Sequence, residues 1–388
     1  MGRSAKFTIA AVGLWLGSLL SGCINEQPRP SAPDSEYTFG GKKNEVAGAI
    51  ASLPNGDGFL ILGGSQDEEA ADYDMLLVKV NLNGEEEWSK RIGERKKDEV
   101  GWKIIRNTMG DYMILGTIRP QSGGSSLMQI TDLDPSFNVR WQTISSIAVP
   151  NSGLTLHGAA FYQMADGKYF AGFAGEGSPV SMIFDESGVL VRSNAYANLG
   201  TQPAAKLFCM TRDSGFLLAS MSYGSDGIQI GRIGSDGELL GTKEIINVGY
   251  GTVPLAVEQL SDGRVVFSLM NSQGHGVLLT DSALNMLSFR LRYDSPSYLR
   301  VVETLDHRIV FAGHDEDFSH HMGHSNSNYR VVVCDGLAND VSVADAGGSG
   351  AERLRDLALL SDGRVALLGE TSSYGNGGTD IYLTFLNQ

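Results

Sequence analysis

The densest set of groups able to ligate a metal or move a proton lies at residues 313–328, GHDEDFSHHMGHSNSN. It holds four of the seven histidines, His314, His320, His321 and His324, beside Asp315, Glu316 and Asp317. Imidazole and carboxylate suit zinc or another borderline cation. No established metal spacing such as H-E-x-x-H is present, and glycine and serine loosen the segment. A solvated polar loop is therefore the expected reading, with no metal. The acidic run at 66–74, QDEEAADYD, reads in the same way as a solvated face rather than a cation site. Gly347-Gly348-Ser349-Gly350-Ala351 approaches the G-x-S-x-G elbow but falls at a turn between repeats. No P-loop occurs, and no GxGxxG stands between a strand and a helix. No catalytic residue, metal or cofactor is assigned from these motifs, and a non-enzymatic role is expected.

One thiol stands in a different context. Arg3 and Lys6 precede an apolar stretch at residues 7–20 of about fourteen residues, short of the roughly 20 a membrane span needs. The stretch ends in Leu20-Ser21-Gly22-Cys23, which resembles the lipobox of bacterial lipoproteins. That resemblance implies cleavage before Cys23, so that residues 1–22 are a signal peptide, and lipidation of the Cys23 thiol. Its acyl chains exceed the two signals that stable anchoring requires. Residues 24–34, INEQPRPSAPD, carry three of the eleven prolines and no apolar run. The stretch 23–35 therefore reads as an extended, lipid-anchored tether. Ile24 stands where inner-membrane lipoproteins carry an aspartate, which implies the outer membrane and leaves periplasmic or surface orientation open.

The rest of the chain must supply the scaffold, and its composition limits what that scaffold can be. Hydrophobic residues make up 42% of the 388, enough to exclude a disordered acidic tail. The formal charge of −15 opposes a phosphate backbone, so no nucleic-acid partner is expected. Glycine numbers 49 against 11 prolines, and without a three-residue period it marks turns rather than collagen.

The chain repeats. Residues 43–66, 97–119 and 351–372 each read as an apolar run, a polar turn with Gly or Asp, and a second apolar run. Fainter copies occur at 157–174, 204–222, 254–270 and 299–313. The first apolar residues after the turns are Phe59, Tyr112, Tyr169, Phe216, Val265, Ile309 and Val365, spaced 53, 57, 47, 49, 44 and 56 apart. No segment holds a 3.6-residue period. The first unit offers strands at 46–53, 59–64, 74–81 and 85–92, with Asn83-Gly84 between the last two predicting a type I′ hairpin. Four antiparallel strands at this period predict a blade of a β-propeller. The last unit offers only 353–360, 364–371 and Asp380–Leu386, while Glu36–Phe39 stands alone before the first. The expected fold is therefore all-β, a seven-bladed propeller over 36–388 whose N-terminal strand completes the last blade and removes an open edge.

This pattern resembles the bacterial β-propeller-repeat lipoproteins, whose units carry a glycine pair, a Ser-Asp-Gly turn, an Asp-led strand, then Asn-Gly and a tryptophan strand. The matching pieces here are Gly347-Gly348, Ser361-Asp362-Gly363, Asp380-Ile381-Tyr382, Asp74-Met75-Leu76, Asn83-Gly84 and Trp88. They are strong in units one and seven and loose in units three to six. The chain is also similar, in architecture alone, to the propeller lipoprotein of the outer-membrane β-barrel assembly machine. These resemblances imply a lipid-anchored envelope scaffold with a protein partner, in an outer-membrane assembly.

A propeller sorts its loops by face. Turns joining first to second and third to fourth strands are uniformly tight, such as Ser261-Asp262-Gly263 and Asn83-Gly84. The second-to-third loops, at 65–73, 119–125, 175–179, 222–227, 271–276, 315–328 and 372–379, are longer and irregular, so a ligand or partner is expected there. Trp88 and Trp141 fall at equivalent fourth-strand positions and are expected to pack between blades, and Trp102 in the core. Cys209 and Cys334 lie in apolar runs and are expected as buried free thiols rather than a disulfide. A surface glycan binder or carboxylate-dependent glycan-active enzyme stays open as the alternative function, because carboxylates from different blades can meet across a propeller.

Overall fold

The computed structural model describes residues 36–386 apart from 67, 70–71, 121, 150–158, 174–177, 198, 200–206, 223, 293–296, 315–326 and 361. The lipobox, Cys23 and the tether lie outside the described residues. Within them the chain forms seven four-stranded antiparallel sheets, the blades of a propeller. Blades 1 to 6 span 45–92, 97–149, 160–195, 207–245, 253–292 and 297–346. Blade 7 takes Glu352–Leu359, Val365–Thr371 and Asp380–Leu386 from the C-terminal end and Glu36–Phe39 from the N-terminal end. The register Glu36↔Thr384 to Phe39↔Ile381 closes the ring as the repeat arithmetic predicts.

Burial follows strand position. Each second strand is covered by neighbouring blades on both faces, so its sequence is a continuous apolar run rather than an alternation. Val365–Thr371 is buried throughout. The outer strand of blade 1, Glu86–Ile92, alternates instead, with Glu86 and Glu87 in solvent. The core is not one body. Seven apolar clusters fill the seven seams, each mixing residues of adjacent blades: Ile61 and Val78 of blade 1 with Leu368 and Leu383 of blade 7, for example. A blade therefore buries its faces only against its neighbours, which makes the ring the unit of stability.

The tight turns are built differently from the expected type I′. Asn81 N–H donates to Glu85 C=O at 3.0 Å and Gly84 N–H to Asn81 C=O at 3.0 Å. Gly84 has φ +91°, while Asn83 is not in the left-handed region that type I′ demands of both central residues. This is a three-residue loop with one left-handed residue and a bulge after it. The Asn81 side chain decides the outcome, since its Oδ1 accepts the N–H groups of Asn83 and Glu85. Asp134, Asp185 and Asp335 cap the same turn in blades 2, 3 and 6. The left-handed station falls to Phe137, Gly188, Gly237, Leu284 and Ala338 in blades 2 to 6.

That station is where blades lock. Tyr37 of blade 7 lies against Gly84, Trp88 of blade 1 against Phe137 with ring centroids 5.0 Å apart, and Trp141 of blade 2 against Gly188. A Cβ on Gly84 or Gly188 would run into the aromatic ring, so here glycine answers both the φ and the close approach. Trp88 and Trp141 thus pack between blades, as expected. Beyond blade 2 the aromatic is replaced by hydrogen bonds: Tyr196 Oη donates to Gly237 C=O at 2.7 Å, and Lys243 Nζ to Ala283 C=O at 2.7 Å.

Candidate functional site

Several sequence candidates are structural. His314 ends the second strand of blade 6, is 5% exposed, and accepts the Leu354 N–H of blade 7 at 3.2 Å through Nδ1. It belongs to the blade 6–7 seam and not to a solvated loop. His320, His321, His324 and residues 315–317 lie outside the described residues. The acidic run is split: Glu68 and Glu69 are exposed, whereas Asp72 is buried and accepts the Lys96 N–H at the blade 1–2 connection. A uniformly solvated face is therefore corrected, because the second half of the run caps a seam. Gly350 N–H donates to Ser373 Oγ at 2.6 Å and Gly348 N–H to Glu352 at 3.2 Å, placing the near-elbow in an inter-blade turn. Trp102 is buried, with Nε1 donating to Thr117 Oγ1 at 2.9 Å. Cys209 and Cys334 are free and buried in different blades, and burial pushes both thiols up, Cys334 to about 12.

The loop face is less uniform than expected. In blade 5 the strands Val265–Asn271 and Gly274–Thr280 pair up to Asn271↔Gly274, so the predicted loop at 271–276 is a two-residue turn. Gln273 N–H donating to Asn271 Oδ1 at 2.9 Å stabilises it.

The inner strands bring together a set of polar side chains that no motif announced. Asp356 of blade 7 receives Arg300 Nε of blade 6 at 3.1 Å, Lys103 Nζ of blade 2 at 3.5 Å and the Ile50 N–H of blade 1 at 3.3 Å. Tyr162, Cys209 and Glu258, on the inner strands of blades 3, 4 and 5, sit close enough to feel one another electrostatically. Six blades thus contribute a side chain to the inner strands' polar set, and blade 1 contributes a backbone N–H. Burial holds the Lys103 amine below its ordinary value, with Asp356 pulling the other way. Burial and then the Glu303 charge push the Glu258 carboxyl up to about 7, against the opposing Arg212 charge. Asp356 and Glu258 are carboxylates in contrasting surroundings, one beside Arg300 and Lys103 and one buried next to Glu303. Sequence reasoning missed the set because Lys103 and Asp356 are 253 residues apart and only blade register brings them together.

The tight-turn face carries a second feature. Met109, Leu305 and Leu337 occupy turn tips and Leu240 follows one, exposed by 65, 84, 62 and 66%. These turns require a capping side chain and one left-handed residue, which these four do not supply. They come from blades 2, 4 and 6. The ionic groups beside them are largely paired within the turn, as Asp306 with Arg308 and Asp262 with Arg264.

No protein-family model matches this chain. No curated protein matches it. Solved structures share the fold. A streptogramin B lyase structure matches with a TM-score of 0.56 at 13% identity, covering 90% of this chain and 97% of that one. A catalytically inactive virginiamycin B lyase from Staphylococcus aureus with quinupristin gives 0.55 at 10% identity, over 90% and 98%. The Dos1 propeller gives 0.50 at 10% identity, over 91% and 94%. At these identities the likeness is to the propeller scaffold, which enzymes and other propellers share.

Proposed function

We propose that this chain is a lipid-anchored propeller of the bacterial outer membrane, joined to it through Cys23 and a tether at 23–35, and that it serves as an interaction module in an envelope assembly. The tight-turn face, not the loop face to which loop length alone pointed, is the docking surface in this reading. The observation that carries this assignment is the set of apolar side chains at Met109, Leu305 and Leu337 on turn tips and Leu240 just after one, exposed to water where the turn geometry does not need them. Apolar side chains on a preorganised scaffold lose little entropy on docking, which favours a protein partner. Affinity purification from gently solubilised membranes tests this. The wild type is expected to recover one stoichiometric envelope protein, and Met109→Asp with Leu305→Asp to lose it more than about tenfold at unchanged thermal stability. Equal recovery by both proteins places the docking surface elsewhere.

The glycan reading keeps one specific support, the Asp356 and Glu258 carboxylates on the inner wall. It predicts glycan binding or hydrolysis abolished by Glu258→Gln. A glycan array without hits, together with no hydrolysis, removes it.

A further inference from the structure

Three blade seams are closed by one repeated device. Glu45, Glu99 and Glu352 stand at or near the start of their first strands, fully or almost fully buried. Each accepts a backbone N–H from the connection before it: Gly41 to Glu45 at 3.0 Å, Glu94 to Glu99 at 2.5 Å, Gly348 to Glu352 at 3.2 Å. Each also takes a hydrogen bond from its own blade, Ser65 Oγ at 2.9 Å, Gln129 Nε2 at 3.2 Å and Thr371 Oγ1 at 2.9 Å. Opposite each glutamate stands a residue from the third strand of the preceding blade, or beside its start: Asp380, Asp74 and Asn328. The intervening glycine leaves no room for a side chain. At Gly347 a Cβ would lie within 2.7 Å of both Asn328 and Glu352, and at Gly40 within 2.6 Å of both Asp380 and Glu45.

The blade 6–7 seam shows how the device is completed. The Asn328 side chain faces two acceptors, and with its amide turned to suit them the nitrogen donates to Glu352 Oε2 at 2.9 Å and to Gly348 C=O at 3.2 Å. At the 7–1 seam the same station holds Asp380, whose Oδ2 already accepts the Gly377 N–H at 3.0 Å. Glu45 Oε2 is buried there and receives no hydrogen bond. A carboxyl facing a carboxyl donates only if one of them carries a proton.

We propose that Glu45 and Asp380 hold one proton between them, carried on Glu45 Oε2 toward Asp380, and that this proton makes closure of the ring between blades 7 and 1 respond to pH. Other charged or titratable groups facing Glu45 are Arg91 on the outer strand of blade 1 and Tyr73 on its third. On the blade 7 side Glu370 receives the Ala47 N–H at 3.3 Å and is held by Arg355. Burial is the main cause that pushes Glu45 up to about 7, the Gly41 and Ser65 hydrogen bonds oppose it, and the Asp380 charge adds to it. The folded protein then binds a proton that the unfolded chain releases near pH 4.5. The stabilisation is complete below that pH and is lost as pH rises through about 7.

Thermal unfolding of the full chain from about pH 5 to about pH 8 tests the pair, using Asp380→Asn, which copies the blade 6–7 seam, and Glu45→Gln. Wild-type Tm is expected to fall by about 5 °C over this range, with each variant recovering at least half of the fall. Glu258→Gln serves as the control for a second carboxyl that burial pushes up to about 7 and is expected to leave the Glu45 contribution intact. Carboxyl carbon NMR is expected to show Glu45 titrating near neutrality in the wild type and at lower pH in Asp380→Asn, where the Asp380 charge is gone and an amide can donate to the carboxylate. Variant and wild-type slopes that coincide overturn the proposal. So does restoration of wild-type Tm at about pH 8 by millimolar Ca²⁺, which assigns the pair to a cation instead of a proton.

Discussion

Deleting residues 36–39 from the full chain is expected to lower Tm by about 10 °C or more and to make the protein self-associate beyond its wild-type state. Phe39 is 4% exposed, within the cluster that joins blades 7 and 1, and Tyr37 packs on Phe385 at 6.1 Å and against Gly84. Losing a buried aromatic costs roughly 3–5 kcal/mol, and the second ring and four paired residues add to it. The total is comparable with the whole stability of an ordinary domain. The deletion also exposes Asp380–Leu386 as an open edge, ready to pair with another chain. Phe39→Asp in the intact chain separates packing from pairing and should give about half the loss. Calorimetry and light scattering check both. A Tm within about 2 °C of wild type and a scattering mass per chain unchanged from wild type would show that the ring does not depend on its closing strand.

Cys23→Ala is expected to have the largest effect on location with none on fold. The thiol is the only acceptor for the lipid that the Leu20-Ser21-Gly22-Cys23 motif implies, and no helix among the described residues is long and apolar enough to cross a membrane. Each buried methylene of an acyl chain contributes about 0.8 kcal/mol, so losing the chains removes far more than the protein's surface can restore. Fractionation of the envelope should move the variant from the membrane to the soluble fraction by more than about tenfold, at wild-type Tm. Mass spectrometry of the wild type should find an N-terminus at Cys23 carrying acyl mass. A variant that stays with the membrane would refute the lipid anchor.

Much of the ring was legible because a propeller writes its period into local chemistry. Phe59, Tyr112, Tyr169, Phe216, Val265, Ile309 and Val365, chosen as the first apolar residues after a turn, are each the first residue of a second strand. That succeeds because these strands are buried on both faces, so their apolar runs end abruptly at the turn. The closing strand was legible as an unmatched remainder. The turn at Asn83-Gly84 was misread because the local Asn-Gly rule ignores the Asn81 side chain, which caps two N–H groups and selects a longer loop. Asp72 and His314 looked like solvated polar residues because their partners lie beyond their own blade, Lys96 in the connection to blade 2 and Leu354 in blade 7. The Asp356 cluster and the Glu45–Asp380 pair were invisible for the same reason on a larger scale. Their partners lie up to 335 residues away, and polar residues set singly into apolar strands have no motif of their own.

The charge of −15 acquires a structural place in the same way. Several turn-face acids are spent on caps and pairs, such as Asp185 on the Ser187 and Val189 N–H groups. The proposed docking set is the exposed apolar group at and beside the turn tips. Site-specific photo-crosslinking in intact cells tests that most directly, with the crosslinker at Leu305 on the turn face and, for comparison, at Tyr250 in the blade 4–5 connection, which is 72% exposed. One discrete crosslinked envelope protein from Leu305 and none from Tyr250 is the predicted result. A partner captured from Tyr250 and not from Leu305 contradicts the assignment.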